Sequence, residues 1–334
     1  MNYFRRFLYI LYYLKESDWK LLGRFIDYAS VSSGKSKLSL IFDSVLSVLR
    51  YNISFKDYYC FRFYDKSHSE RSEWAGTGFM YEYQLRMNPK GSRELLVNKV
   101  QFLNHYRLLV KRMFLHISDF SSDSIELNEI LRKSERLVLK GSRGQIGAEV
   151  EVISSETYTP QKLLDHMKQH HYDLIEEYVI QHPSLNDLSP SGLNTVRIIT
   201  QKDNDEIIIL AARLRISVNS PVDNMAAGNI AASVDLKTGM VTGPGVFSDI
   251  TKDSVRVHPV TGKDIVGFII PHWEKVLELA ATAARDASGN RSVGWDIAVT
   301  GDGAELIEGN HNWCKLLWQL PVNKGLKAEL LRFQ

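Results

Sequence analysis

The stretch "GWDIAVTGDGAELIEGN", residues 294–310, sets Asp296, Glu308 and Asn310 in two apolar runs joined by a Gly-Asp-Gly turn. Alternation along both runs predicts a β-hairpin, with Trp295, Ile297 and Val299 on one face and "TGDG" as its turn. Side chains alternate across a strand, so Glu308 and Asn310, two residues apart, share a side. Asp296 on the partner strand can join them. Three oxygen-bearing side chains on one face suit a hard cation such as Mg²⁺. The same pattern describes an amphipathic hairpin whose polar face meets water, and this stretch alone leaves both readings open.

Other segments carry groups suited to phosphate. In "LVLKGSRGQIG", residues 137–147, Lys140 ends an expected strand and the loop then offers Ser142, Gly144 and Gly147. Glycines let backbone N–H groups approach phosphate oxygens, and a lysine adds a point charge. Many hairpin loops share that composition. In "LIEEYVI", residues 174–180, an apolar strand is broken by Glu176 and Glu177. Extended backbone passing an adenine edge offers one C=O and one N–H, while a flanking carboxylate accepts an amino or hydroxyl proton. A half-buried strand with two exposed glutamates reads the same way. Arg197, Arg213 and Arg215 lie in or beside expected strands, and period 2 puts the last two on one face. Strand arginines facing a cleft grip phosphate or carboxylate through two parallel bonds.

Two further patterns are set aside. "ASVSSGKS", residues 29–36, loosely matches a Walker A loop, but a helical period precedes it where a buried strand is needed, so it reads as a loop between helices. "HMKQHH" puts His166 and His170 at zinc-pair spacing but lacks the metalloprotease glutamate, and reads as a solvated helix face.

The elements that must position these groups follow from periodicity. Residues 1–90 read as mainly helical, with "RMNPKGSRE" a candidate linker. "LLVNKVQFLNHYRLL" is a helical stretch that carries Lys99, and "VRIITQKDNDEIIILAARLRIS" reads as two strands around a polar turn. A helix is expected near Pro271, with proline in its first turn. Strands and helices mix without βα alternation, which predicts an α+β fold. The expected divisions are 1–94, a helical region, then 95–180 with the glycine loop, and 181–334 with the hairpin.

Composition narrows the class. A chain of 334 residues at 44% hydrophobic and 24% charged content matches a soluble globular protein. A net charge of +2 gives no field that points to nucleic acid. Cys60 and Cys314 are far apart, which fits a reducing cytoplasm and no disulfide framework. The N-terminal "MNYFRRFLYILYYLK" is too short in its apolar run to span a bilayer. It reads as a helix packed on the protein, with contact to a membrane surface as the other expectation.

Taken in order, Lys99, Lys140 with its glycine loop, the Glu176–Ile180 strand and the Asp, Glu-x-Asn hairpin resemble the ATP-grasp superfamily. Its members clamp ATP between two α+β subdomains, and the hairpin looks like the metal-binding end of D-alanine–D-alanine ligases. "LNTVRIIT", "VDNMAAGNIAASVD", "HPVTGKDIVGFIIPHW" and "GWDIAVT" resemble the sugar-transfer-associated branch, linked to bacterial surface-polysaccharide assembly. The resemblance covers roughly residues 95–320; Ala227 departs from it where a glycine pair is expected.

The resemblance implies a role for each matched residue. Lys99 and Lys140 contact the α- and β-phosphates, and the loop from Ser142 through Gly144 to Gly147 closes over them. Glu177 and Val179 meet the adenine edge, assisted by Glu176. Asp296, Glu308 and Asn310 hold two Mg²⁺ ions, with Glu308 bridging. Arg197 and Arg213 face the transferring phosphoryl group or a substrate carboxylate, and Asn224 and His258 lie on the acceptor side. Cys314 has no part in the chemistry and reads as structural.

The implied activity is an ATP-dependent carboxylate–amine ligase acting through an acyl phosphate, on small carboxylate and amine substrates that include a nucleotide-linked sugar. The same fold also serves kinases that phosphorylate a sugar or polyol hydroxyl. A non-catalytic partner of a sugar transferase is a third reading, opposed by the intact Asp–Glu–Asn set.

Overall fold

Strand pairing is antiparallel throughout both sheets of the computed structural model, which describes residues 3–143 and 150–334. Helices come first: α1 (Tyr3–Glu16), α2 (Trp19–Ser33), α3 (Lys37–Tyr51), α4 (Phe55–Cys60), α5 (His68–Ser72) and α6 (Thr77–Met87). Their starts are written in short polar residues. Asp18 caps α2, Ser36 caps α3, and Ser54–Asp57 and Ser67–Glu70 form capping boxes. The Walker-like stretch is the last turn of α2 and only from Gly34 to Ser36 the joint to α3, with Gly34 closing α2 at φ 70°. An aromatic core of Tyr58, Tyr59, Phe61, Phe63, Tyr64 and Trp74 binds α1 to α4 together.

The segment read as a linker is instead a packed joint. Asn88 is fully buried, and its amide donates to the carbonyls of Ser292 (2.8 Å) and His311 (2.7 Å) while its Oδ1 accepts from Ser292 N–H (3.0 Å). Such a side chain, far from its partners in sequence, pins the strand-rich part of the chain to α6. Helices α7 (Lys90–Val97) and α8 (Lys99–His105) follow, with Asn98 capping α8.

The smaller sheet contains β1 (Phe114–His116), β2 (Arg136–Lys140), β3 (Val150–Ser154) and β4 (Leu174–Glu177) in the order β1-β4-β2-β3. On one face Leu137, Leu139 and Ile175 pack against α9 (Ile125–Lys133) and α10 (Pro160–Gln169) through Leu127, Ile130, Leu163 and Met167. Period 2 then turns Val138, Lys140 and Glu176 to the opposite face. His166, on α10, bonds Glu151 at 2.9 Å through Nε2, so its ring serves a side-chain pair.

After α11 (Pro183–Leu188) come β5 (Thr195–Asp203), β6 (Glu206–Ile216) and β7 (Ile230–Val234), then α12 (Trp273–Arg285), β8 (Ser292–Thr300) and β9 (Gly303–Asn310). They form a sheet in the order β7-β6-β5-β8-β9. Helix α12 covers one face, with Val276, Ala280 and Ala283 in the same core as Val196, Ile198, Trp295 and Ile297. It starts at Trp273, so Pro271 stays outside, because His272 at φ 52° breaks the helical path between them. On the other face α6, α13 (Lys315–Gln319) and α14 (Lys327–Leu331) pack Phe79, Tyr83, Trp318 and Leu330 near Ile199 and Ala211. Among the described residues no helix is long and apolar enough to cross a membrane.

Candidate active site

The expected hairpin forms, and one irregularity in it aims the acidic residues. Asp296 pairs with Glu308 but Ile297 pairs with Leu306, so Ile307 is an extra residue, a β-bulge. The bulge lets Leu306 join Trp295, Ile297 and Val299 in the core while Glu308 stays opposite Asp296. Asn310 lies two residues on and donates to Glu308 Oε1 at 3.1 Å. All three line a cavity of about 590 Å³ between the two sheets.

Gly294 makes room for an arginine of that wall. A Cβ there would lie 2.7 Å from Trp313 Cβ and 3.0 Å from Arg197 Cδ, so the arginine can lie across the strand only because no side chain stands in its path. Arg197 grips Asp296 through both Nε and Nη2, the second bond at 2.7 Å. Arg215 links Asp296 to Asp223, with Nη2 2.7 Å from Asp223 Oδ1. Burial opposes charge on Asp296, but Arg197 and Arg215 outweigh it and hold the carboxyl well below the usual range. Burial and the Asp296 charge push Glu308 the other way, upward.

The opposite wall carries a second network. Arg112 donates to Glu305 Oε1 (2.8 Å) and to Glu176, whose other oxygen is 2.9 Å from Lys140 Nζ. Burial alone would raise Glu176, yet Lys140 and Arg112 bring it from the ordinary 4.5 to about 2. Lys99 also lines the cavity and donates to Gly141 O at 2.7 Å. Val179 and Tyr178 sit just past β4 on the same wall.

Not every expected residue is free to play the part the resemblance implies. Arg213 does not line the cavity: its guanidinium is taken by the carbonyls of Trp318 and Ala212, and burial lowers it to about 10. Arg215, two residues along, stands where Arg213 was expected. His258 is likewise away from the cavity, its Nε2 donating to Ser217 O (2.9 Å) and its Nδ1 accepting from Thr261 N–H (3.2 Å). It ties a turn. Glu177 lines the cavity, but its carboxylate already accepts from Met113 N–H (2.6 Å) and Ser134 Oγ (2.7 Å). Ser142 is fastened to Asp173 through both N–H and Oγ, each at 2.6 Å, and stands outside the cavity lining. Asn224 lines the cavity and caps a short turn through Ala226 N–H. Cys314, read as structural, is exposed on the cavity wall. Gly144 and Gly147 lie outside the described residues.

Sequence reasoning missed Arg112, Glu305 and Asp223. Their signal is a charged residue at a position expected to be buried, which becomes visible only once partners from distant segments are known.

Among the described residues no three His, Cys, Asp or Glu side chains gather to hold a metal; the hairpin reaches three oxygen donors only through Asn310. Two carboxylates pressed together in a buried site still favour an added positive charge, as the upward push on Glu308 reports. Oxygen donors of this kind fit Mg²⁺.

Two antiparallel α+β units facing one another across a cavity lined by lysines, arginines and an Asp–Glu–Asn set define the ATP-grasp class, whose members in general use ATP and Mg²⁺. Residues 79–334 match the sugar-transfer associated ATP-grasp family, and the chain belongs to it. Solved structures similar to it include D-alanyl-alanine synthetase A from Vibrio cholerae (11% identity, TM-score 0.43), over 72% of this chain and 61% of that one. An L-amino acid ligase from Bacillus licheniformis (12%, TM-score 0.40) matches over 71% and 49%. Carboxyaminoimidazole ribonucleotide synthase from Aspergillus clavatus (13%, TM-score 0.43) matches over 67% and 47%. The chain thus spans less than two thirds of these proteins. A search of curated proteins gave no match.

Proposed function

We propose that this chain is an ATP-dependent ligase that joins a carboxylate to an amine, one of them carried on a sugar. The observation that carries the reading is the convergence of Asp296, Glu308 and Asn310 with Arg197 and Arg215 on one wall, and Lys99 and Lys140 on the other. Asp296, Glu308 and Asn310 would hold Mg²⁺, which when bound neutralises phosphate oxygens and lowers the repulsion felt by an attacking anion. Lys99 and Lys140 supply positive charge for the rest of the triphosphate, and Arg197 and Arg215 for the transferring phosphoryl group. Adenine is read by backbone: Val179 N–H and C=O enter no hydrogen bond among the described residues, so both are free to pair with its edge.

A substrate carboxylate oxygen attacks the γ-phosphorus, its P–O bond to ADP breaks, and an acyl phosphate forms. The amine nitrogen then attacks the acyl carbon, phosphate leaves, and the nitrogen loses its proton. The protein need supply no nucleophile, because positioning and charge carry the rate.

The test follows γ-labelled ATP with Mg²⁺ and a pool of uronic acids, amino sugars, nucleotide sugars and amino acids. Free phosphate that appears only when a carboxylate and an amine are both present supports the ligase. Label retained on a sugar would replace it with a kinase. Glu308→Gln should abolish turnover while the melting curve is kept, and full activity in that variant would overturn the assignment.

A further inference from the structure

A second pocket, of about 340 Å³, lies among α1, α3, α5, α6 and α14. Arg6, Arg50, Arg86 and Lys327 line it, with Glu82 as the one acidic side chain and Gln334, with its α-carboxyl group, in the same wall. Among the described residues none of the four cations forms an ion pair. Arg6 Nη1 donates to the carbonyls of Leu49 (2.5 Å) and Arg50 (2.9 Å) at the end of α3, and its Nε is buried without a partner. Arg50 donates to His68 Nε2 at 3.2 Å, and the ring's Nδ1 meets Tyr51 Oη at 2.6 Å. Lys327 Nζ lies 5.0 Å from the centre of the Phe79 ring. Burial, with the Arg6 charge beside it, pulls the Lys327 ammonium below its ordinary range. Glu82 is itself shared with Tyr9, whose hydroxyl donates to it at 3.1 Å.

Like charges gathered in a concavity repel, and the repulsion persists unless an anion fills the space. Four cations against Glu82 and the Gln334 carboxyl group leave an excess of two positive charges, which matches a ligand carrying two negative ones, and three guanidinium forks match tetrahedral oxygens. We propose that this pocket is a binding site for a phosphate-bearing anion, a phosphate ester or a diphosphate, separate from the nucleotide cavity. It straddles the start of the family match: α1, α3 and α5 precede residue 79, whereas Arg86 and Lys327 follow it. The helical N-terminal region therefore supplies half of a site that the matched region does not complete alone. Its ligand is either a soluble phosphate compound or a lipid headgroup, since Phe7, Leu8 and Leu11 on α1 stand exposed near Arg6.

Titration calorimetry with inorganic diphosphate, without Mg²⁺, tests the site on the whole chain. Arg86→Gln with Lys327→Met should weaken binding about tenfold or more, as expected for losing charged hydrogen-bond donors. Lys140→Met, in the nucleotide cavity, should leave in place the binding step that the double variant loses. Glu82→Gln keeps the Tyr9 acceptor but removes the one acidic side chain, and should tighten binding, a gain that misfolding cannot produce. Sedimentation with phosphatidylcholine vesicles, with and without phosphatidylglycerol, separates the sources. Retention on the anionic vesicles that the double variant loses assigns a headgroup phosphate; diphosphate binding without retention assigns a soluble one. The proposal is overturned if wild type binds neither probe, if the double variant binds both as wild type does, or if Lys140→Met alone removes binding.

Discussion

Arg215 stands between Asp223 and Asp296, and a planar fork is the one basic side chain that can serve both carboxylates at once. Lysine keeps the charge but loses the second set of parallel donors. Arg215→Lys should therefore fold, bind nucleotide, and lose about 10²-fold in turnover, the magnitude typical of removing one oriented donor to developing charge. Arg213→Met should do the opposite. Among the described residues its guanidinium bonds only carbonyls, so its loss should cost about 2–3 kcal/mol of stability while turnover per folded molecule stays the same. Steady-state kinetics beside urea melts on both variants decide it; equal activity losses would put Arg213 back in the site. The sequence pattern alone could put both arginines on one face of β6. It could not say which one α13 covers, because Trp318 is distant in sequence and period 2 carries no information about what packs on a face.

At the scale of elements, the hairpin and its two-residue Gly301–Asp302 turn were legible because alternation and turn chemistry are local. The bulge at Ile307 was not. Read without it, Leu306 and Glu308 fall on the same face, which would set a leucine beside the acids. Nor could the sequence show that Asn88 would be buried, since its partners Ser292 and His311 lie in other elements. The positive charge set against Asp296 depends on a further non-local fit, the passage of Arg197 over Gly294. Gly294→Ala brings a Cβ within 2.7 Å of Trp313 Cβ, an atom that cannot swing aside. We expect a loss of about 1–3 kcal/mol from the overpacking, and weaker catalysis as Arg197 shifts from Asp296. Thermal melts and turnover should fall together; a variant as stable and active as wild type would show that the strand absorbs the methyl.

The α+β class was legible from the absence of βα alternation, but how the two sheets are joined was not, because that junction runs through a buried arginine whose partners are distant in sequence. Arg112 donates to Glu176 on β4 of the smaller sheet, and to Glu305 and the carbonyls of Leu306 (2.9 Å) and Ile307 (3.3 Å) on β9 of the larger. Arg112→Met leaves Glu305 without that partner and Glu176 with Lys140 alone, and breaking a buried pair on one side costs about 3–5 kcal/mol. The cost must also depend on pH in a defined direction. Glu176 is held down from 4.5 to about 2 in the folded state, so its network contributes fully above 4.5 and is lost as pH falls toward the lower value. In Arg112→Met the remaining lysine holds Glu176 down less, and that variant has less of this stability to lose. The gap between wild type and variant should be widest near neutral pH and close as the pH is lowered through this window. Urea melts of both proteins across that range read the gap directly. A gap that stays constant would mean that Arg112 joins the sheets by packing and carbonyl contacts, with its charge on Glu176 adding nothing.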